Sequence, residues 1–161
     1  MVILLRIDTP IGHDQNKISK GEVSFFMKSC GFEYEYKIHC NDGFICLVVK
    51  GVVDMSGLLE ILEDIARHRD FRVTHHLLMN FLEAVISVPP KDIPVLAEQI
   101  SKVFPSKGRR SAIVVNDYRS VALSLLYSKN NVQSTLQVFS DIENAIEWLT
   151  QCDVVSLEFN D

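Results

Sequence analysis

Residues 108–149, GRRSAIVVNDYRSVALSLLYSKNNVQSTLQVFSDIENAIEWL, decide the fold class of this chain. The apolar run at residues 111–115 is too short for a helix and reads as a covered strand. Asn116-Asp117 then opens a segment in which Tyr118, Val121, Ala122 and Leu125 recur at helical spacing. Residues 135–139 are short and alternate, as an edge strand does, and Ser140-Asp141-Ile142-Glu143 is a capping box. Behind that box, Ile142, Ala145, Ile146 and Leu149 form an apolar face. Strand, helix, strand, helix with short links demands parallel pairing through right-handed crossovers.

The same grammar extends toward the N-terminus. Phe32, Tyr34, Tyr36 and Ile38 alternate with Glu33, Glu35, Lys37 and His39, which predicts a half-exposed strand at a sheet edge. Asn41-Asp42-Gly43 supplies a tight antiparallel turn, and the unbroken run at 44–49 belongs in the sheet centre, covered on both faces. Residues 74–82 form a further buried strand. Two helical stripes fill the gaps, Met55, Leu58, Leu59, Leu62 and Ala66, then Ile93, Leu96, Ala97, Ile100 and Val103. The expectation is a single α/β domain over 32–152: a mostly parallel five-stranded sheet, its first strand antiparallel, with four helices. Residues 1–31 are expected to be an extension, partly disordered or loosely packed, and 153–161 a tail.

With 161 residues, 47% of them hydrophobic, the chain can bury one sizeable core. Its net charge of -5 opposes attraction to polyphosphate, so nucleic acid is not expected as a partner. Lys102, Lys107, Arg109 and Arg110 cluster in sequence and read as a solvated surface. Cys30, Cys40, Cys46 and Cys152 lack CxxC spacing and look like reduced thiols of a cytoplasmic protein. No stretch reaches the ~20 apolar residues of a membrane span, and Arg6 and Asp8 interrupt the apolar start too early for a secretory segment.

Gly51-Val52-Val53-Asp54 resembles the Gly-x-x-Asp signature of STAS domains, the fold of the sporulation anti-sigma-factor antagonist SpoIIAA. Leu78-Met79-Asn80-Phe81, the strand at 112–115 and the ending Glu147-Trp148-Leu149 are similar to a bacterial SpoIIAA-like group also described as STAS/SEC14-like. The resemblance implies a SpoIIAA-like fold and a regulatory module acting through protein partners. Antagonist STAS proteins carry a phosphorylated serine at the helix start after the third strand; here the stretch is Ser87-Val88-Pro89-Pro90-Lys91. Proline at that position removes both the phosphate acceptor and an amide that would hold the phosphate. Ser87, standing nearby, and Ser56, one strand too early, are weak candidates for modification.

Open α/β sheets bind ligands beyond the carboxyl ends of their strands. That edge would gather Asn80, Glu83, Asn116, Asp117, Tyr118 and Arg119, together with Ser140, as candidate ligand-binding residues. The plainer reading makes Asp117 and Ser140 helix caps and Asn80 a strand-end group. His75 and His76 are adjacent in a strand and point to opposite faces, so they cannot share a metal, and His39-Cys40 fails likewise. With no Gly-rich phosphate loop, nucleophile elbow or metal spacing, the sequence predicts no catalytic residue, no metal and no cofactor.

Two readings stand: an interaction module working with a protein partner or its own copy, and a small SEC14-like carrier of an apolar or lipid-like ligand. The second draws on apolar residues beyond the helix stripes, Leu123, Leu126 and Phe104. Self-association is suggested by Phe25-Phe26-Met27, which needs a cover.

Overall fold

The computed structural model describes residues 22–39, 42–105, 108–131 and 133–151. The remaining stretches of the expected extension and tail, with Cys40, Asn41, Lys107 and Cys152, lie outside the described residues. Six strands form one sheet in chain order: β1 (Glu22–Lys28), β2 (Phe32–His39), β3 (Phe44–Val53), β4 (His76–Ile86), β5 (Arg110–Val114) and β6 (Thr135–Phe139). The four helices are α1 (Met55–Arg67), α2 (Ile93–Val103), α3 (Tyr118–Asn130) and α4 (Ile142–Thr150).

The α/β class, the parallel body and the four helices are as the sequence predicts. The pairs β3–β4, β4–β5 and β5–β6 are parallel. Their antiparallel neighbours number two rather than one, because β1 pairs with β2 along its whole length. Phe32–His39 is therefore an interior strand, and its alternation reflects one covered face rather than an edge. Phe25 stacks on Tyr36 with ring centroids 5.2 Å apart, and Met27 packs on the same core. The cover that Phe25 and Met27 need comes from their own domain.

Alternation along the strands divides the sheet into two faces. On the inner face Tyr34, Tyr36, Ile38, Ile45, Leu47, Val49, Leu77, Met79 and Ile113 join one cluster with residues of α1, α2 and α3. Among the described residues the outer face carries α4 alone, which packs Ala145 and Leu149 on Leu78, Ala112 and Val114. Cys46 and Val48 of β3 are only half-buried, so the central strand is covered fully on one face, not both.

Two helical stripes shift from expectation. In α1 the buried positions are Gly57, Ile61, Leu62 and Ile65, with Met55, Leu58, Leu59 and Ala66 flanking them in partial cover. In α3 they are Ser120, Leu123 and Ser124, while Tyr118 is 97% and Leu125 57% exposed. The capping box of α4 is also displaced by one residue: Asp141, not Ser140, is the N-cap and accepts from the Asn144 amide at 2.9 Å.

The Gly51-x-x-Asp54 signature has a plain mechanical basis. Gly51 has φ +90°, and a Cβ there would meet the Gly31 carbonyl oxygen at 2.5 Å. That carbonyl accepts from the Val52 amide at 2.9 Å, so β2 and β3 touch backbone to backbone. Asp54 caps α1 by accepting from the Gly57 amide at 2.8 Å, and a Cβ on Gly57 would press on the Phe32 ring at 2.8 Å. Gly51→Ala combines a clash with a disfavoured backbone and is expected to cost about 2 kcal/mol. Gly43→Ala, at φ +69° with open space around it, is expected to cost about 1 kcal/mol. Urea denaturation of both variants checks the order; equal losses would remove the close-contact explanation.

Candidate functional site

At the carboxyl edge the expected ligand residues do not converge. Asn80 sits inside β4, beside Val114, where β4 carries one residue more than β3: Val48 pairs with Asn80, but Lys50 pairs with Glu83. The Asn80 side-chain oxygen accepts from the Leu82 amide at 3.0 Å, satisfying a donor within the bulge. Glu83 is on the outer face, where its carboxylate meets Lys50 Nζ at 3.4 Å with both side chains largely exposed. Such a pair is worth only a few tenths of a kcal/mol, up to about 1.

Asn116, Asp117, Tyr118 and Arg119 are all exposed at the start of α3. Asp117 accepts from the Ser120 amide at 2.9 Å, and its bonds to Ser120 hold its carboxyl below the usual range. The carboxylate is a helix cap, as the plainer sequence reading expects. Ser140 is exposed ahead of α4 and lines a shallow, solvent-open depression with Asp141, Asn144 and Trp148.

Ser56 is exposed in the first turn of α1, and Ser87 is exposed after β4, its amide donating to the Val53 carbonyl at 2.8 Å. From Ser87 the chain passes through Pro89 and a short 3-10 turn, Pro90–Asp92, into α2, which has Pro94 in its first turn. Prolines thus stand where helix-start amides would meet a phosphate.

Three polar groupings emerge that sequence reasoning missed. The Tyr34 hydroxyl donates to Asp64 Oδ2 at 3.1 Å, and Tyr36 bonds the same carboxylate. Burial first, and the Asp64 charge second, push both phenols well above their ordinary value. The tyrosines remain neutral donors that tie α1 to β2. Their spacing of two on one strand face was legible, but nothing in the sequence pairs them with Asp64.

Arg109, read as surface from its neighbours, is 1% exposed. Its guanidinium lies 4.4 Å from the Phe104 ring centroid and 5.2 Å from that of Phe71, and Nη2 donates to the carbonyls of Val73 and Pro105. Nε and Nη1 have no hydrogen-bond partner among the described residues. Burial lowers its pKa to about 10, so it stays protonated at neutral pH. The rest of the expected basic surface divides: Lys102 pairs with Glu98 at 2.7 Å, and Arg110 lies over the Trp148 ring at 5.4 Å.

The third grouping surrounds a cleft of about 70 Å³ between the inner sheet face and α1, α2 and α3. Leu47, Leu77, Met79 and Ile113 supply its floor and Phe104 and Leu123 part of its wall, so two of the supposed surplus apolar residues are core. Its polar end lies at the C-terminus of α3.

Among the described residues no three His, Cys, Asp or Glu side chains are grouped as metal ligands, and no helix is long and apolar enough to cross a membrane. His75 lies just before β4, its Nδ1 accepting from the Arg72 amide at 3.2 Å, while His76 Nδ1 accepts from the Arg110 amide at 3.0 Å. The two imidazoles are bound to different segments, one to the loop before β4 and the other to the start of β5.

No family model matches the chain, and no curated protein matches it. Among solved structures there is a similar one. It is that of an uncharacterised protein of the DUF3478 family with a SpoIIAA-like fold, from Shewanella loihica PV-4. The match covers 86% of this chain and 99% of that one at 14% identity, with a TM-score of 0.45.

Burial, then the charges of Arg109, Arg72 and His76, lowers the His75 pKa below its ordinary value. A lowered pKa means that the unfolded chain binds the proton more tightly. The contribution of His75 to stability is therefore present above pH ~6.5 and is lost as the pH falls below it. His75→Asn keeps an acceptor for the Arg72 amide and removes the titration. Melting temperatures from pH 7.5 to 5 should fall less steeply for this variant than for the parent; identical slopes would exclude His75 as the source.

Proposed function

We propose that the protein is a non-enzymatic, STAS-like binding module that works through protein contact, with a second copy of itself as the partner and without a phosphorylatable serine at the start of α2. The observation that carries this reading is the half of the outer sheet face that no described residue covers. Val52 and Val85 are paired across β3 and β4 and are 53% and 55% exposed. Phe26 shares that face, half-buried, at the β1 edge. Paired valines on an open sheet suit packing against another sheet.

The charges beside the valines favour a twofold partner. Lys50 and Glu83 adjoin them in register, so a symmetric arrangement can turn each copy's Lys50 toward the other's Glu83. Four polar side chains near the carboxyl edge serve the fold: Asp54, Asp117 and Asp141 cap helices, and Asn80 holds the bulge. Carriage of a long acyl chain is disfavoured, because the cleft of about 70 Å³ falls far short of the ~300 Å³ at which ligand pockets begin.

Light scattering coupled to gel filtration is expected to give a dimer, and the double variant Val52→Asp, Val85→Asp a folded monomer with a melting temperature close to the parent's. A parent monomer at several hundred micromolar would overturn the proposal, as would a dimer indifferent to both substitutions.

A further inference from the structure

The cleft under α1, α2 and α3 is more selective than a packing fault would be. Its apolar body ends in Ser111, Ser124, Tyr127, Asn131 and Ser134, and no charged side chain stands among its described lining residues. Ser111 and Ser124 are each 4% exposed. The fold brings them together from separate elements: Ser111 lies on β5 beside Leu136 of β6, and Ser124 and Tyr127 stand three residues apart on one face of α3, with Asn131 at its C-cap. Asn131 is used internally, its amide donating to Ser134 Oγ at 2.7 Å and its carbonyl accepting from the Gln133 amide at 3.2 Å. The hydroxyls of Ser111, Ser124 and Tyr127 bond no other described residue.

Among the described residues only Arg109 Nε and Nη1 are sealed without a partner, so the three hydroxyls stay accessible at the end of the apolar cleft. An occupant that covered them without a hydrogen bond would cost about 1–3 kcal/mol for each. Ser111 and Ser124 occupy positions where Ala would pack as well. A filled core would use Ala there and Phe in place of Tyr127. We propose that the cleft is a binding site for a small neutral amphiphile, with a short hydrocarbon body against Leu47, Met79 and Ile113 and an uncharged hydroxyl or carbonyl head hydrogen-bonded to Ser111, Ser124 and Tyr127.

Size and charge set the class. The volume of about 70 Å³ exceeds the ~10–15 Å³ that one water needs and is about half of a ~150 Å³ cavity that admits benzene. A short chain fits and a long one does not. A carboxylate head would lose its hydration with no cation among the described lining residues to replace it. Arg109, stacked on Phe104, is itself outside the lining and gives Nη2 to two backbone carbonyls. Burial pushes the Tyr127 phenol up to about 12, which keeps it a neutral donor across the physiological range. The site is independent of self-association through the outer face.

The experiment is a titration of the full chain with 1-propanol and, separately, with propanoate at pH 7, followed by amide NMR shifts. Saturable shifts at Ser111, Leu123 and Tyr127 with 1-propanol, and binding of propanoate at least tenfold weaker, are the expected result. Tyr127→Phe with Ser124→Ala should weaken 1-propanol at least fivefold while leaving xenon binding unchanged. Equal affinity for the two head groups would overturn the proposal, as would shifts that never saturate or a folded double variant that binds 1-propanol as the parent does. The comparison of head groups in the parent decides the matter even if the double variant does not fold.

Discussion

One extra residue in β4, held by Asn80, sets the character of both sheet faces. Before the bulge Leu77, Met79 and Phe81 point into the core; after it Ala84 and Ile86 do, so the parity of the strand has reversed. A regular strand would have turned Ala84 and Ile86 outward and Glu83 and Val85 inward, burying a carboxylate among leucines. The Leu82 amide, which the bulge takes out of the ladder, is satisfied by the Asn80 side chain. The same device leaves Val85 beside Val52 and Glu83 beside Lys50, and so creates the outward patch proposed as the contact face.

The bulge also explains why the expected ligand edge is not one. In an open parallel sheet with strands of equal length, residues after each strand gather in a common crevice. Here β3 and β4 run on together to Val53 and Ile86, six residues beyond the end of β5, whose last partner is Asn80. Asn116 to Arg119 therefore start α3 at a different height from Ser87 and Pro89. The crevice is replaced by a step, and the acids that border it spend their charge on the amides of α1, α3 and α4, where caps are worth about 1 kcal/mol each.

Much of the fold was legible because hydrophobic burial writes a period into the chain. The run of alternating aromatics in β2, the short covered β5 and the alternating β6 were each readable from residue type alone, and Asp117 announced the start of α3. Failures occurred where burial is not achieved by apolar side chains. The inward face of α3 is Ser120, Leu123, Ser124 and Tyr127, and its two serines made the outward Tyr118 and Leu125 look like the better stripe. Strand β1 was missed because Phe25, Phe26 and Met27 are apolar in succession, covering the core on one face and half-covered on the other, which erases the alternation. Of the site, the sequence offered polar letters but not their obligations: Asn80 and Glu83 are neighbours in the chain and separated in purpose by the bulge.

Arg109 shows the same limit at its most severe, since three other cations in the sequence around it implied a solvated patch. A guanidinium can nevertheless enter a core where an ammonium could not, because its charge is delocalised over a plane that stacks on aromatic faces. Phe71 and Phe104 supply those faces, and the Val73 and Pro105 carbonyls supply two acceptors for Nη2. Desolvation is only partly offset, as the depressed pKa and the unbonded Nε and Nη1 show. What the arrangement gains is a cross-link. A single side chain joins the loop before β4 to the end of α2 and the start of β5, which fixes the end of the sheet where Ser111 enters and where the cleft has its polar lining. A leucine at this position would have filled the volume without tying those carbonyls together, and the geometry of the cleft would then rest on packing alone.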